Sequence, residues 1–592
     1  MKPIFRTIFS LFNKLPGRFR LLLLSALVGV VSGLGAILFD MLLKLALRYF
    51  ITLPTGYVEP ATGPVSAALT GASPVHAWLL LIIPCLGGLL AGLMVFFIAP
   101  EAAGDGTDAM IEAFHYRGGY TRKRVPFIKT LASAITIGSG GSAGKEGPIS
   151  QIGAGFGSIM ATVLKLKPRD RRILVLAGAA GGLGAIFHAP LGAALFAPEV
   201  LYREMEFESR AILPCVLASI NAYCIFDLLY KPGALFFPGP VGFAFIEMPP
   251  YLLFGLVCAL VGYFYIKVFY GLRDYFFRRL PLPRCIMPAL GGLMLGVIIC
   301  FYPQVSSTGY GWVQMAMEGK LFWKTMLILA FLKIAATSCT ISSGGSGGVF
   351  GPSVFIGAML GGAFGFLGHQ LAPGWVVNPN SFVLVGIGGF FAGVAKVPLA
   401  SMIMACEMSN SYSLLVPLML VSSVSYLLLG RTSLYEKQVL APIASPTHIA
   451  EFARDLMKGM HVYEAVNQRP ATVIPEEMSY NELVEVILKS GHTCFPVVNE
   501  DGRMTGIISA NDVHDKIFQE TPSHLVFAKD LANPDIVPIF WHDTLEGALD
   551  KMVALQMDAL PVVHEESPDI VATMISKHDI LTFYHSVSEF KE

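Results

Sequence analysis

"GSGGSAGKEGP", residues 138–148, sits inside an apolar stretch and joins five glycines to Lys145, Glu146 and Pro148. At membrane depth an irregular backbone is tolerated only where it is buried in protein or lines a cavity, and an ionisable side chain there is costly. A second stretch, "SSGGSGGVFGP" (342–352), repeats the pattern, with Pro352 lying 204 positions after Pro148. Gly141, Ser142, Gly144, Gly147 and Gly153 then fall on Gly345, Ser346, Gly348, Gly351 and Gly357. Further on, "GAAGGLGAIFHAPLGAALFAPE" (178–199) aligns with "GIGGFFAGVAKVPLASMIMACE" (386–407) at a spacing of 208, so that Glu199 falls on Glu407. Two halves interrupted at corresponding places predict a transporter-like fold with its site where the broken helices meet.

The residues at the breaks carry a definite chemistry. Glycine lets the chain turn sharply and lets a ligand approach the backbone. Proline is favoured at the first helical position, where its missing N–H costs nothing, so Pro148 and Pro352 each predict a helix start. A helix N-terminus carries a partial positive charge and binds anions through backbone N–H groups. Two such ends meeting at mid-membrane would hold an anion without a full cation, weakly enough to release it. The alternative is that the glycines only allow close helix packing. Two aligned runs, both ending in Gly-Pro and one carrying an ionisable pair, favour the anion reading.

The composition agrees with a membrane setting. Of 592 residues, 54% are hydrophobic and 14% charged, against about 25% charged in soluble proteins, and the mean hydropathy is +0.61. "AWLLLIIPCLGGLLAGLMVFFIA" (77–99) has no charge and is long enough to span a bilayer. Similar runs occur at 21–48, 251–268, 286–302, 325–336 and 414–429. The fold class expected is a polytopic α-helical membrane protein. Lys2, Arg6, Lys14, Arg18 and Arg20 precede the first run and predict a cytoplasmic N-terminus in the cell membrane rather than a signal peptide. Arg122–Arg124 and Arg169–Arg172 predict further cytoplasmic edges. A net charge of zero excludes a strong nucleic-acid signature. The nine cysteines are scattered without C-x-x-C spacing, so neither a disulfide framework nor a zinc site is expected.

Near residue 440 charges become frequent and apolar runs shorten to strand length, as in "CFPVV" (494–498) and "GIIS" (506–509). "FPVVNEDGRMTGIISANDV" (495–513) matches "LPVVHEESPDIVATMISKHDIL" (560–581): strand, acidic turn, strand, then Ser-x-x-Asp opening a helix. Helical segments 480–491 and 545–556 precede them. This tandem resembles a pair of CBS domains, and a cytoplasmic α/β tail is expected. The division is a membrane part at 1–440 (halves about 20–230 and 250–435), a linker at 441–457 and a tail at 458–592 (repeats about 458–518 and 525–588). In that family the Ser-x-x-Asp aspartate often contacts an adenine-nucleotide ribose, which here implicates Ser509 with Asp512 and Ser576 with Asp579. The alternative is that both serines only cap helices. No cofactor is required, and an adenine nucleotide at the pair is left open.

The membrane part resembles the CLC chloride channels and transporters. "GKEGP" (144–148) is similar to that family's G(K/R)EGP signature and "GVFGP" (348–352) to its GxFxP signature. "PEAAGDGTD" (100–108) stands where the family has a GSGIP-like loop, and "SLYEK" (433–437) supplies its pore tyrosine as Tyr435. The resemblance implies a homodimer with one chloride pathway per subunit. It makes Glu146 the gating glutamate, whose carboxylate mimics the anion and swings away when protonated or displaced. The anion-binding residues implied are Asp105, Gly106, Gly147, Val349, Phe350 and Tyr435, with the amides of Val349 and Phe350 and the hydroxyl of Tyr435 as donors. Lys145 matches the motif without an independent role.

Two positions depart from the family's pattern. Asp105 stands at the pore serine, where an ionised acid would repel a central anion by several kcal/mol at low effective dielectric. It is protonated, or it points away, or the loop is shifted in register so that amides alone bind the ion; the alternative is a solvated loop acid capping a helix that begins near Thr107. Val200 stands where exchangers usually carry a second glutamate after Glu199, and valine cannot carry a proton. Glu204, Glu206 and Glu208 are the substitutes to hand, although such a run is more often a solvated helix face. The expectation is therefore passive, channel-like anion conduction gated by Glu146, with proton-coupled chloride exchange as the alternative. A CBS-regulated magnesium transporter would need acidic pore rings, and an intramembrane enzyme would need a metal or Ser–His constellation. His188 alone, beside Ala189-Pro190, predicts a packed helix end.

Overall fold

The computed structural model describes residues 16–60, 76–230, 233–239, 241–448, 457–466, 471–490, 492–509, 526–535, 537–555 and 557–589. Lys2, Arg6, Lys14 and Asp512 lie outside them. The chain divides into two units at Ser445–Pro446.

Among the described residues the first unit holds sixteen helices of eight residues or more, eight in each half. The first half runs α1 (Gly17–Leu47), α2 (Leu79–Ile98), α3 (Gly106–Tyr116), α4 (Val125–Gly138), α5 (Glu146–Val163), α6 (Pro168–Phe187), α7 (Pro190–Glu199) and α8 (Ser209–Tyr230). The second runs α9 (Met248–Gly271), α10 (Met287–Phe301), α11 (Tyr310–Met317), α12 (Trp323–Ser342), α13 (Phe350–Leu371), α14 (Ser381–Ala395), α15 (Pro398–Ser409) and α16 (Leu415–Leu428). Six helical stretches among the described residues are long and apolar enough to cross a membrane. The spacing read from sequence reappears in the helix starts: Gly106 and Tyr310, Glu146 and Phe350, and Pro190 and Pro398 open corresponding helices.

The repeats agree at individual residues. Gly140 and Gly344 have φ of +98° and +97°, a left-handed backbone that glycine adopts without strain, and each follows the end of a helix. α6 and α14 both end in a left-handed residue, His188 and Lys396, two positions before the proline that opens the next helix. Lys129 and Lys333, wholly buried at the same repeat position, use their ammonium groups alike. Lys129 Nζ donates to the carbonyls of Ala102 (3.1 Å) and Gly104 (2.8 Å), and Lys333 Nζ to those of Val305 (3.0 Å) and Ser307 (2.8 Å). Each thereby satisfies carbonyls in the loop that leads into α3 or α11.

Glycine packing and glycine breaks prove to be separate devices. Gly153 on α5 and Gly178 on α6 bring two backbones together, and a Cβ at Gly153 would lie 2.0 Å from the Gly178 carbonyl oxygen. Gly357 and Gly386 do the same for α13 and α14, at 2.2 Å. There the packing alternative is correct, as in small-residue helix contacts generally.

α7 and α15 clamp each other. Glu199, at the end of α7, accepts from the N–H groups of Leu399 (3.0 Å) and Ala400 (2.7 Å) at the start of α15. Glu407, on α15, accepts from Leu191 (3.2 Å) and Gly192 (2.7 Å) at the start of α7. Each carboxylate satisfies the orphan donors of the partner's first turn and complements its dipole.

The second unit repeats a smaller motif. β1 (Ile474–Pro475) is parallel to β2 (Cys494–Val498), which is antiparallel to β3 (Met504–Ser509). β4 (Ile539–Phe540), β5 (Ala559–His564) and β6 (Ser567–Ser576) pair in the same way. The parallel pair needs a crossover, and α17 (Tyr480–Ser490) and α18 (Leu545–Ala554) supply it. α19 (Lys577–Glu589) follows β6.

Candidate functional site

The two glycine breaks cross each other at backbone distance. Gly144 N–H donates to the Gly348 carbonyl at 2.8 Å, and Gly347 N–H donates to that of Gly104 at 3.2 Å. A Cβ at Gly147 would lie 2.8 Å from the Gly348 Cα, and one at Gly106 would lie 2.1 Å from the Gly147 carbonyl oxygen. This crossing brings together the first residues of α3, α5 and α13, three helix N-termini with positive dipole ends, and the Tyr310 side chain at the start of α11 reaches Glu146 beside them.

Pro148 and Pro352 stand third in α5 and α13, which begin at Glu146 and Phe350. The sequence reading placed each at the first position. The first turn has no intrahelical use for any of its N–H groups, so proline is tolerated through it. The shift leaves Gly351 with a free amide inside α13, and that amide is the one used.

Two carboxylates occupy the α13 end. Glu146, 2% exposed, accepts from Gly351 N–H (3.1 Å to Oε2) and from the Tyr310 hydroxyl at Oε1. Asp105 accepts from Val349 N–H (3.2 Å to Oδ1) while its Oδ2 accepts from Asp108 N–H at 3.0 Å. Asp105 is therefore the cap of α3, which begins at Gly106, as the capping alternative expects. It does not point away, since its second oxygen takes the Val349 amide that the resemblance assigns to the anion.

The remaining predicted residues gather at the same place. Phe350 is buried, its ring 4.3 Å from that of Phe391 and 5.0 Å from that of Phe187 between centroids. Tyr435 is 1% exposed, and its hydroxyl makes no hydrogen bond of good geometry among the described residues. A buried phenol normally finds a partner, and the Thr107 side chain and Asp105 stand close to this one. A cavity of about 620 Å³ runs from Asp105, Val349 and Tyr270 to the partly exposed Arg117 and Arg122. Arg273 also borders it, as do Glu101 and Glu112, which pair with Arg122 and Arg117, so the wall carries both signs of charge.

Glu199 and Val200 lie elsewhere. Val200 is wholly buried, and its carbonyl accepts from Gln438 Nε2 at 2.9 Å. Glu199 is spent on the α15 clamp. Glu204, Glu206 and Glu208 are not on a helix face, because the chain between α7 and α8 is irregular there. The Tyr202 hydroxyl donates to Glu208 at 3.1 Å. His188 caps α6, with Nδ1 3.0 Å from the Gly233 carbonyl oxygen. Lys145 acquires a partner in Asp40 of α1, at 3.6 Å, which Lys44 also approaches at 2.7 Å. The nine cysteines are free, and no metal-binding group of His, Cys, Asp or Glu occurs among the described residues.

Sequence reasoning passed over Tyr310, Lys129 and Lys333. The two lysines each lie nine residues before one of the two glycine-rich stretches, so a cation recurring at the same apolar position is the available signal. Tyr310 had none, because its repeat partner is Gly106.

In the tail, Ser576 and Asp579 form a reciprocal cap. Asp579 N–H donates to Ser576 Oγ (3.1 Å), and Asp579 Oδ2 accepts from Ser576 N–H (2.9 Å). Both residues also border a cavity of about 600 Å³ with Thr472, His492 and Lys577. Ser509 ends β3.

Comparison with known proteins agrees with this architecture. The tail matches the CBS domain family over residues 462–518. Chloride channel protein CLC-e of Arabidopsis thaliana is 27% identical over 565 residues, covering 85% of this chain and 77% of that protein. The H(+)/Cl(-) exchange transporter ClcA of Vibrio campbellii is 27% identical over 69% of this chain and 86% of its own length. The crystal structure of a slow cyanobacterial Cl-/H+ antiporter superposes with a TM-score of 0.61 at 22% identity, covering 75% of this chain and 99% of that one. The voltage gated chloride channel family matches residues 87–430, more than half of the chain, and the protein belongs to that family.

Proposed function

We propose that the protein is a proton-coupled chloride antiporter, with Glu146 as the acid that exchanges places with the anion. The observation that carries this reading is the Glu146 carboxylate seated on the Gly351 amide at the start of α13. A carboxylate held there by a backbone donor and a tyrosine hydroxyl copies a bound anion. When it takes a proton, it loses its charge and its claim on the helix end. An acid that alternates between holding a proton and yielding to chloride couples the two fluxes.

Sequence alone inclined toward passive conduction because Val200 replaces an inner glutamate. That residue is buried and apolar here as well, which favours a channel, as does the name of the Arabidopsis relative. The names borne by the Vibrio relative and the cyanobacterial structure favour exchange. The tail cavity beside Ser576 and Asp579 supports binding of an adenine nucleotide, with Asp579 Oδ1 left over from the cap. We also place the N-terminus and tail on the cytoplasmic side and the protein as a homodimer with one pathway per subunit.

The test is proton movement in liposomes holding the purified protein. An outward chloride gradient should drive protons uphill, and Glu146→Gln should abolish that pumping while chloride still moves. Chloride flux with no uphill proton flux in the wild type would contradict the exchanger and restore the channel.

A further inference from the structure

We propose that Asp105 is a second tethered gate: its carboxylate occupies the central anion's place on the Val349 amide and vacates it on taking a proton. This rests on the exchanger reading for the proton's role, but not for the occupancy.

The geometry is one of competition. Val349 and Gly351 are amides two residues apart at one helix end, and each donates to a carboxylate supplied by the other half of the chain. Glu146 holds Gly351 and Asp105 holds Val349, so both anion positions are filled by the protein itself. The Tyr435 hydroxyl is buried close to Asp105 and the Thr107 side chain and makes no hydrogen bond of good geometry among the described residues. A spherical anion would take up that donor, whereas a carboxylate also tied to the Asp108 amide does not.

Asp105 also has what an inner proton station needs. It borders the cavity that reaches the partly exposed arginines, so a proton can arrive along the anion's own route. Neither Glu199 nor Val200 is among the residues that border that cavity. Its charge has a standing counterpart in Lys129, whose ammonium is fixed on the Gly104 carbonyl next to it. The other titratable groups facing it are Asp108 on α3, Tyr265 and Tyr270 on α9, and Tyr435. Glu146 adjoins Gly147, where a Cβ would lie 2.5 Å from Asp105 Oδ1. Glu101, Glu112, Arg117, Arg122 and Arg273 border the cavity. Asp108 is bound on its outer oxygen by Lys437 N–H at 2.8 Å, away from the pore amides. The step moves one proton: the Asp105 carboxylate accepts it from water in the cavity, releases the Val349 amide, and chloride takes that donor.

The experiment removes the first gate to expose the second. Chloride binding to the full-length Glu146→Gln protein is measured by titration calorimetry between pH 7.5 and 4.5, beside Glu146→Gln/Asp105→Asn. The single variant should gain at least about tenfold in affinity as pH falls. The double variant should bind tightly at every pH, because asparagine keeps the α3 cap but no longer competes as an anion. Equal affinities and equal pH profiles in the two proteins would overturn the proposal. In liposomes Asp105→Asn alone should lower the proton-to-chloride ratio at least about fivefold, and an unchanged ratio would also overturn it. A wild type that pumps no protons sinks the exchanger reading, while the calorimetry still decides whether Asp105 fills the site.

Discussion

The two halves of the membrane unit share a scaffold and divide the chemistry. Position by position, Asp105 faces Gly309 and Glu146 faces Phe350 across the repeat, so both pore acids come from the first half. The amides they occupy, Val349 and Gly351, come from the second. What holds the halves in register is symmetric: paired lysines on loop carbonyls, paired left-handed glycines, paired glycine contacts and the reciprocal clamp of α7 and α15. A duplicated frame thus fixes two helix ends, and substitutions at only two places turn one half into the donor of charge and the other into its receptor.

The largest way to break this comparison is to remove the gating acid. Glu146→Gln should lower proton flux by more than about a hundredfold in a liposome pH assay while chloride flux persists, because glutamine cannot carry a proton. Loss of both fluxes together would place Glu146 in the frame rather than in the exchange.

The symmetric frame is tested next. Gly153→Val and Gly357→Val each put a side chain where only a backbone fits, so each should destabilise by at least about 1–3 kcal/mol. Thermal unfolding in detergent should show the two losses within about a factor of two of each other. A large loss on one side alone would deny that the packing is duplicated.

The clamp should cost less and remain symmetric. Glu199→Ala and Glu407→Ala each strand two helix-end amides, worth about 1–3 kcal/mol for a buried group left unpaired. The double variant should lose roughly the sum, because each acid serves a different helix. The smallest effect belongs to Tyr310→Phe, which removes one donor to Glu146. A single hydrogen bond contributes about 0.5–1.5 kcal/mol net, so the gate should open more readily and chloride turnover should rise about threefold to tenfold. Unchanged turnover would leave the gate's hold to the Gly351 amide alone.

Much of the fold was legible because the repeat is written in glycine and proline, residues whose backbone demands are hard to mask. The helix starts fell at the repeat spacing, and the strands of the tail lay where the short apolar runs put them. Hydropathy missed the apolar helices α4, α8, α13 and α14, none of which appeared among the apolar runs; α8 is only 33% buried over its most apolar stretch, so burial explains α13 and not α8. α13 is 83% buried over its most apolar stretch, against 39% for α2. A helix surrounded by protein rather than lipid need not be uniformly apolar, and its glycines dilute the signal. The site was legible in its members but not in its state. Glu146, Val349, Phe350 and Tyr435 came from motif and chemistry. That Asp105 both caps α3 and takes the Val349 amide depends on the crossing of two loops 244 residues apart, which no local pattern encodes. Tyr310 was invisible for the same reason.

The claim that the acids of one half stand in for anions on the amides of the other is tested most directly by bromide diffraction. Crystals of Glu146→Gln/Asp105→Asn protein soaked in bromide should show two anomalous peaks, one within hydrogen-bond distance of the Gly351 N–H and one of the Val349 N–H. The wild type should show neither at full occupancy. Equal peaks at both amides in the wild type, or none in the variant, would contradict the account.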